Sequence, residues 1–139
     1  MFTDSTFMKT NYLLQKGMDV SLLRHQVIAD NIANVDTPFF KRSEVTFESQ
    51  MQRALNSEKT ETFPAFLTDG NHMEFFKPID YRKVEPKIHV EYDTNYRNDK
   101  NNVDIEKESS DAVENTLLYK ALVQKVSKNF RMLTLSIQG

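Results

Sequence analysis

Hydrophobic and polar positions follow a helical rhythm at both ends of this chain and no sustained rhythm between them. From about Ser5 to Ala33, Phe7, Met8, Tyr12, Leu13, Leu14, Met18, Leu22, Ile28, Ala29 and Ile32 recur along one side of a helix. Val20, Leu23 and Val27 widen that side, and Asp19, Arg24, Gln26 and Asp30 take the opposite face. Gly17 weakens the middle by roughly 1 kcal/mol against alanine, so the firmest part is expected from Met18 to Ala33. The rhythm then breaks at Asn31-Ile32-Ala33-Asn34-Val35-Asp36-Thr37-Pro38. Asn and Asp side chains compete for the backbone, and Pro38 drives Thr37 out of the helical region. Asn31, Asn34, Asp36 and Thr37 are expected to fix this turn through side-chain-to-backbone bonds.

The other end carries the clearest period. Ile105, Ser109, Ala112, Thr116, Tyr119, Val123, Val126, Phe130, Leu133 and Ile137 are spaced alternately four and three, a heptad seam. Val113, Leu117, Leu118, Ala121 and Leu122 make the helix sticky on further sides. Either Asn102 or Asp104 can cap its start, and Asp104, Glu106 and Glu108 suit the positive end of the helix dipole. Such a helix is about 50 Å long, more than a small domain needs. The two terminal helices are expected to form an antiparallel coiled coil, with Val126, Phe130 and Leu133 packed against Leu22, Leu23 and Ile28. If Phe130 is buried there, Phe130→Ala costs about 3–5 kcal/mol.

Between the helices the pattern is weaker. Phe47, Met51, Ala54 and Leu55 predict a short helix within residues 41 to 58, for which Ser43 could serve as a cap. Residues 59 to 82 read as irregular, with scattered Phe63, Phe66, Phe75 and Phe76; the last two, adjacent on a loop, either plug a local core or anchor a neighbouring subunit. Val84, Ile88, Val90 and Tyr92 alternate with Lys87, His89, Glu91 and Asp93, the pattern of a half-buried strand. That strand needs a partner near Ala65 to Leu67, near Tyr81 to Val84, or on another molecule. Residues 95 to 102 read as a polar loop. The fold class is mainly α: residues 1–42 and 101–139 as the coiled-coil core, and 43–100 as an irregular middle segment with a small β element.

Composition removes several function classes. All four prolines lie in the middle of 139 residues, leaving both ends free to be helical. A net charge of -2 makes no electrostatic case for nucleic acid or an anionic membrane. There is no cysteine, so neither disulfides nor thiolate chemistry are available. No apolar run approaches the roughly 20 residues a membrane span requires. The first residues lack a basic leader, an apolar segment and a small-residue cleavage site, so a cytoplasmic protein or export without cleavage is expected. His25, His72 and His89 lack metal-ligand spacing. Asp93 to Asp104 has the length of a calcium loop but carries Arg97 and Asn98 where a ligand and the turn glycine belong. No nucleophile elbow or phosphate loop is present. An enzyme, a cofactor, a metal and a small-molecule substrate are therefore not expected.

Two stretches carry a family resemblance. Asn31 to Pro38 resembles the NNIAN.DTPGYK signature near the N-terminus of bacterial flagellar rod and hook proteins, with Phe39-Phe40 in place of Gly-Tyr. Asn101-Asn102-Val103-Asp104-Ile105-Glu106-Lys107-Glu108 resembles the GNNVDLEKEM segment that opens the C-terminal helix of the same family. There Lys100 replaces Gly and Ser109 replaces Met; Tyr119 and Phe130 fall where the family has a tyrosine and a phenylalanine. The short centre is most similar to the proximal rod members.

The resemblance implies a structural subunit of the flagellar basal body, exported through the flagellar type III apparatus without signal cleavage. It implies assembly in the periplasm as part of a torque-transmitting helical tube. The implied partners are copies of itself, other rod proteins, the export apparatus and the adaptor on the MS-ring side. The competing reading from the residues is a self-contained helical homodimer with a regulatory role. The first predicts a poorly folded isolated chain, because both helices carry more apolar surface than one hairpin buries. The second predicts a cooperative melt at low concentration. Phe39 adds a local expectation. Phenylalanine resists positive φ, so a type I turn or extended exit, with negative φ, is predicted there.

Overall fold

The computed structural model describes residues 6–59, 77–93 and 97–138. Helix α1 spans Thr6–Ala33, β1 Ser43–Thr46, α2 Glu48–Glu58, β2 Lys87–Val90 and α3 Ile105–Gln138, with one 3-10 turn at Tyr81–Lys83. The fold is mainly helical, with long terminal helices and a small β element between them. Two compact units result: residues 1–45 with 88–139, and residues 46–87.

In the first unit α1 and α3 pack antiparallel. Going up α1 from Asn11 to Gly17, Ser21 and Asn31, the facing residues on α3 run back from Asn129 to Leu122, Asn115 and Glu108. α1 starts at Thr6 and runs unbroken through Gly17. A Cβ at Gly17 would lie 3.3 Å from Leu122 Cδ1, so the missing side chain lets the helices approach closely. α3 is capped by Asp104, whose Oδ1 accepts from the Glu106 N–H at 2.9 Å, which settles the choice of cap in its favour.

The packing register differs from the expected seam. The buried and half-buried side chains of α3 are Glu108, Asp111, Ala112, Asn115, Tyr119, Leu122, Val126 and Asn129, and all but Asp111 are again spaced four and three. Phe130 is 56% exposed and Leu133 38%, and both lie level with the N-terminal part of α1, not with Leu22, Leu23 and Ile28. Leu22 is exposed, whereas Ile28 is buried and Leu23 and Ile32 are half-buried. Hydrophobicity marks one column of α3, but the column that packs on α1 is its neighbour, which carries the hydrogen bonds to α1.

The strand at Lys87–Val90 forms, but its partner is β1, which lies inside the segment read as helical. The pair is antiparallel: Glu91 N–H donates to the Arg42 carbonyl at 2.9 Å, and Thr46 Oγ1 to the Lys87 carbonyl. Ile88 and Tyr92 are exposed, so the alternation marks a strand without marking a buried face. The short central helix begins at Glu48, with Phe47 and not Ser43 at its cap position. In the second unit Phe47, Met51, Ala54, Tyr81 and Val84 form the buried cluster, and the Ile79 N–H donates to Ser57 Oγ at 2.8 Å. Phe63, Phe66, Phe75, Phe76, the segment Ala65 to Leu67, His72 and Asn95 lie outside the described residues.

Phe39 has φ 63, which overturns the expected negative value. The Phe40 N–H donates to the Thr37 carbonyl at 3.3 Å, closing a turn with Pro38 second and Phe39 third, the type II arrangement. Lys100, with φ 58, is the other non-glycine residue in this region among the described residues. Both are positions at which the signatures resembled above carry glycine. Tertiary bonds hold the two conformations: Phe39 N–H donates to the Asp99 carbonyl at 3.0 Å, and Lys41 Nζ to the Lys100 carbonyl at 2.9 Å. The Lys100 ammonium also lies 6.0 Å from the centre of the Phe39 ring.

Candidate functional site: a polar junction between the chain ends

The two signature stretches meet in space. Asn31, in the last turn of α1, points its amide at β1 and α3 together. Its Nδ2 donates to the Ser43 carbonyl at 2.8 Å and to Glu108 Oε2 at 3.0 Å, and its Oδ1 accepts from the Ser43 N–H at 3.0 Å. Glu108 is fully buried. Its other oxygen accepts from Arg42 Nε at 2.6 Å. A buried carboxylate is tolerated only when paired and hydrogen-bonded, and here both oxygens are occupied. The helix dipole therefore does not account for Glu108, as its sequence position had implied.

Arg42 is the hub. Its terminal nitrogens reach Glu44 at 3.2 Å, Glu91 at 3.3 Å and Asp111 at 3.3 Å. Those three carboxylates keep between 37% and 58% of their side-chain exposure, whereas Glu108 keeps none, so the Glu108 pair carries most of the energy. Burial pulls the guanidinium pKa down, but bonds to and charges on Glu108 and Glu44 outweigh it and hold the pKa above the ordinary value. A folded-state pKa raised in this way stabilises the protein at every pH below the ordinary arginine range, and the contribution is lost only above it.

Asn101 closes the other side. It is fully buried, and its Nδ2 reaches the carbonyls of Asn34 and Val35 at 3.0 Å and of Thr37 at 2.9 Å. These carbonyls belong to the turn that follows α1, so Asn101 ties that turn to the entry of α3. Its Oδ1 accepts from the Val103 N–H at 2.8 Å. Asn102 Oδ1 accepts from the Arg42 N–H at 2.7 Å, and its Nδ2 donates to the Glu91 carbonyl at 2.8 Å. The loop read as merely polar is thus a set of bridges.

The structure brings Asn31, Pro38, Thr37, Asn34 and Asp104 to this junction, but with divided roles. Asn34 Nδ2 donates back to the Asp30 carbonyl at 2.8 Å, and Thr37 Oγ1 to Asn34 Oδ1 at 3.3 Å. Asp36 does not hold the turn: its side chain is 94% exposed, 4.0 Å from Arg97. Tyr119, Val126, Phe130 and Leu133 lie elsewhere, along α3. Sequence reasoning missed Arg42, Ser43, Asn101 and the burial of Glu108. One signal was present: Glu108, Asn115 and Asn129 fall on a heptad column of their own beside the apolar one.

Chemically, the polar groups of the junction satisfy one another. Among the described residues no cluster of three metal-ligating side chains occurs. No helix among them is long and apolar enough to cross a membrane. The arrangement does one thing, which is to lock the exit of α1 to the entry of α3.

The comparisons agree with a role carried by architecture. No family model matches the chain. The flagellar basal body rod protein FlgB of Borrelia hermsii is 36% identical over 126 residues, 91% of this chain and 93% of that protein. FlgB of Borreliella burgdorferi is 33% identical, covering 87% of this chain and 90% of its own length. FlgB of Bacillus subtilis is 30% identical, covering 97% and 98%. At such identity over nine-tenths or more of each relative's length, this chain belongs to the FlgB family of flagellar basal-body rod proteins.

Proposed function

We propose that the protein is a structural subunit of the proximal rod of the flagellar basal body. It assembles with other rod proteins and with copies of itself into a helical tube that transmits torque. It has no catalytic role, cofactor or small-molecule substrate. It reaches the periplasm through the flagellar export apparatus without signal cleavage, and its first contacts are on the export-apparatus and MS-ring side. The observation that carries this reading is the apolar surface left outward on α3. Val113, Leu117, Val123, Phe130, Met132 and Leu135 are all more than two-fifths exposed although the helix already has α1 as a partner. A surface of that kind on a slender hairpin marks a protein interface, and subunits joined head to tail along it extend without closing.

The test is complementation of a strain lacking the chain. Phe130→Asp, which alters an exposed side chain, should leave the helix content of the purified protein unchanged and abolish motility, with the chain missing from isolated basal bodies. Normal swimming by that variant sinks the proposal. So does a discrete, cooperatively melting dimer of the parent that is absent from basal bodies.

A further inference from the structure

Two overlapping heptad columns run along α3, and they share one edge. The shared edge is Ile105, Ala112, Tyr119, Val126 and Leu133. On one side of it stand Glu108, Asn115, Leu122 and Asn129, and on the other Ser109, Thr116, Val123, Phe130 and Ile137. Hydrophobicity alone favours the second side, yet α1 packs on the first. Glu108 and Asn115 are buried there, while Val123, Phe130 and Ile137 are exposed.

α1 carries mates for the polar members of that first side. Asn31 Nδ2 donates to Glu108 Oε2 at 3.0 Å, Asn115 Nδ2 donates to the Ser21 carbonyl at 2.9 Å, and Asn129 Nδ2 donates to Asn11 Oδ1 at 3.0 Å. Rolling α3 by one column would strip these bonds: Asn11 would face Phe130 in place of Asn129, the Ser21 carbonyl would lose the Asn115 amide, and the buried Glu108 carboxylate would leave Asn31. Sliding it by a turn would break all three at once. The middle layer is strict for a further reason. The Ser21 hydroxyl and Asn115 Oδ1 have no hydrogen-bond partner among the described residues, so this layer already stands at the limit of what burial tolerates.

We infer that the polar pairs Asn31–Glu108, Ser21–Asn115 and Asn11–Asn129 are a register selector that assigns the polar column of α3 to its own α1. The apolar column is thereby kept outward. A polar residue at a core heptad position fixes alignment at some loss of stability, and three matched layers extend that device along the hairpin. The inference stands on the hairpin itself and does not depend on the rod assignment.

The chain has no cysteine, so introduced pairs report cleanly. In the full-length protein at low concentration, Gly17→Cys with Leu122→Cys samples the polar column, and Gly17→Cys with Val123→Cys samples the apolar one. The disulfide requires close, correctly aimed Cβ atoms, so the first pair should oxidise about tenfold faster than the second as an intramolecular bridge. Asn11→Leu, which orphans Asn129, should cut that preference to about threefold or less. Adding Asn129→Leu, which restores a matched layer, should bring the preference back. The trap counts transient hairpins too, so incomplete order does not blunt it. The inference is overturned by equal rates in the parent, by a preference unmoved by Asn11→Leu, or by a double variant that fails to recover.

Discussion

At the scale of single residues, one charged pair dominates. Arg42 and Glu108 are both buried, and removing Arg42 leaves the Glu108 carboxylate with no cation and only the Asn31 amide as a partner. Arg42→Ala should cost about 3–5 kcal/mol in denaturant melts, while Glu44→Ala, at a solvated carboxylate on the same guanidinium, should cost less than about 1. Ser21 points the other way. Its buried hydroxyl makes no hydrogen bond among the described residues, so Ser21→Ala should stabilise the protein by about 1 kcal/mol. Phe39 and Lys100 hold left-handed backbone at roughly 1–2 kcal/mol each. The double change Phe39→Gly with Lys100→Gly gives up an exposed cation–π contact, and should still raise stability by about 1 kcal/mol. A fall in the melting midpoint would show that the ring and ammonium matter more than the strain they impose.

At the scale of elements, α1 and α3 are defined by their ends as much as by their faces. α1 gives way after Ala33 to a turn whose carbonyls Asn101 ties down, and α3 starts where Asp104 caps it. Along the seam Gly17 sits against Leu122. Gly17→Val adds branched bulk 3.3 Å from Leu122 Cδ1 and should destabilise by about 1–3 kcal/mol. Combining it with Leu122→Ala should recover part of that loss, because the two changes share one space. Additive costs in the double variant would place the contact elsewhere. The strand β2 shows a limit of period-based reading. Alternation is a property of the backbone pleat, and only a covering layer makes one side of it buried.

At the scale of the whole molecule, stability is unevenly distributed. The junction concentrates buried hydrogen bonds, whereas the far end of α3, from Phe130 to Gln138, is exposed along its length. Hydrogen exchange should find the Ser43 and Val103 amides, both bonded to buried asparagines, among the slowest in their unit. Amides beyond Phe130 should exchange faster by orders of magnitude in the dilute chain and slow on assembly. Uniform protection along α3 would remove the argument that its end awaits a partner.

The residues by themselves determined the two long helices, their approximate ends, the antiparallel pairing and the family, because period, capping and signature are local properties. Ser43 to Thr46 could not be read as a strand, since four residues acquire that state only by pairing with Lys87 to Val90. The φ of Phe39 was misread because side-chain preference gave way to bonds from residues beyond Asp93, far along the chain. Which column of α3 faces inward was decided by matched polar groups on α1. Hydrophobicity ranks faces within one helix, but a hydrogen bond is worth something only when its partner is in place, and that partner is supplied by the tertiary structure.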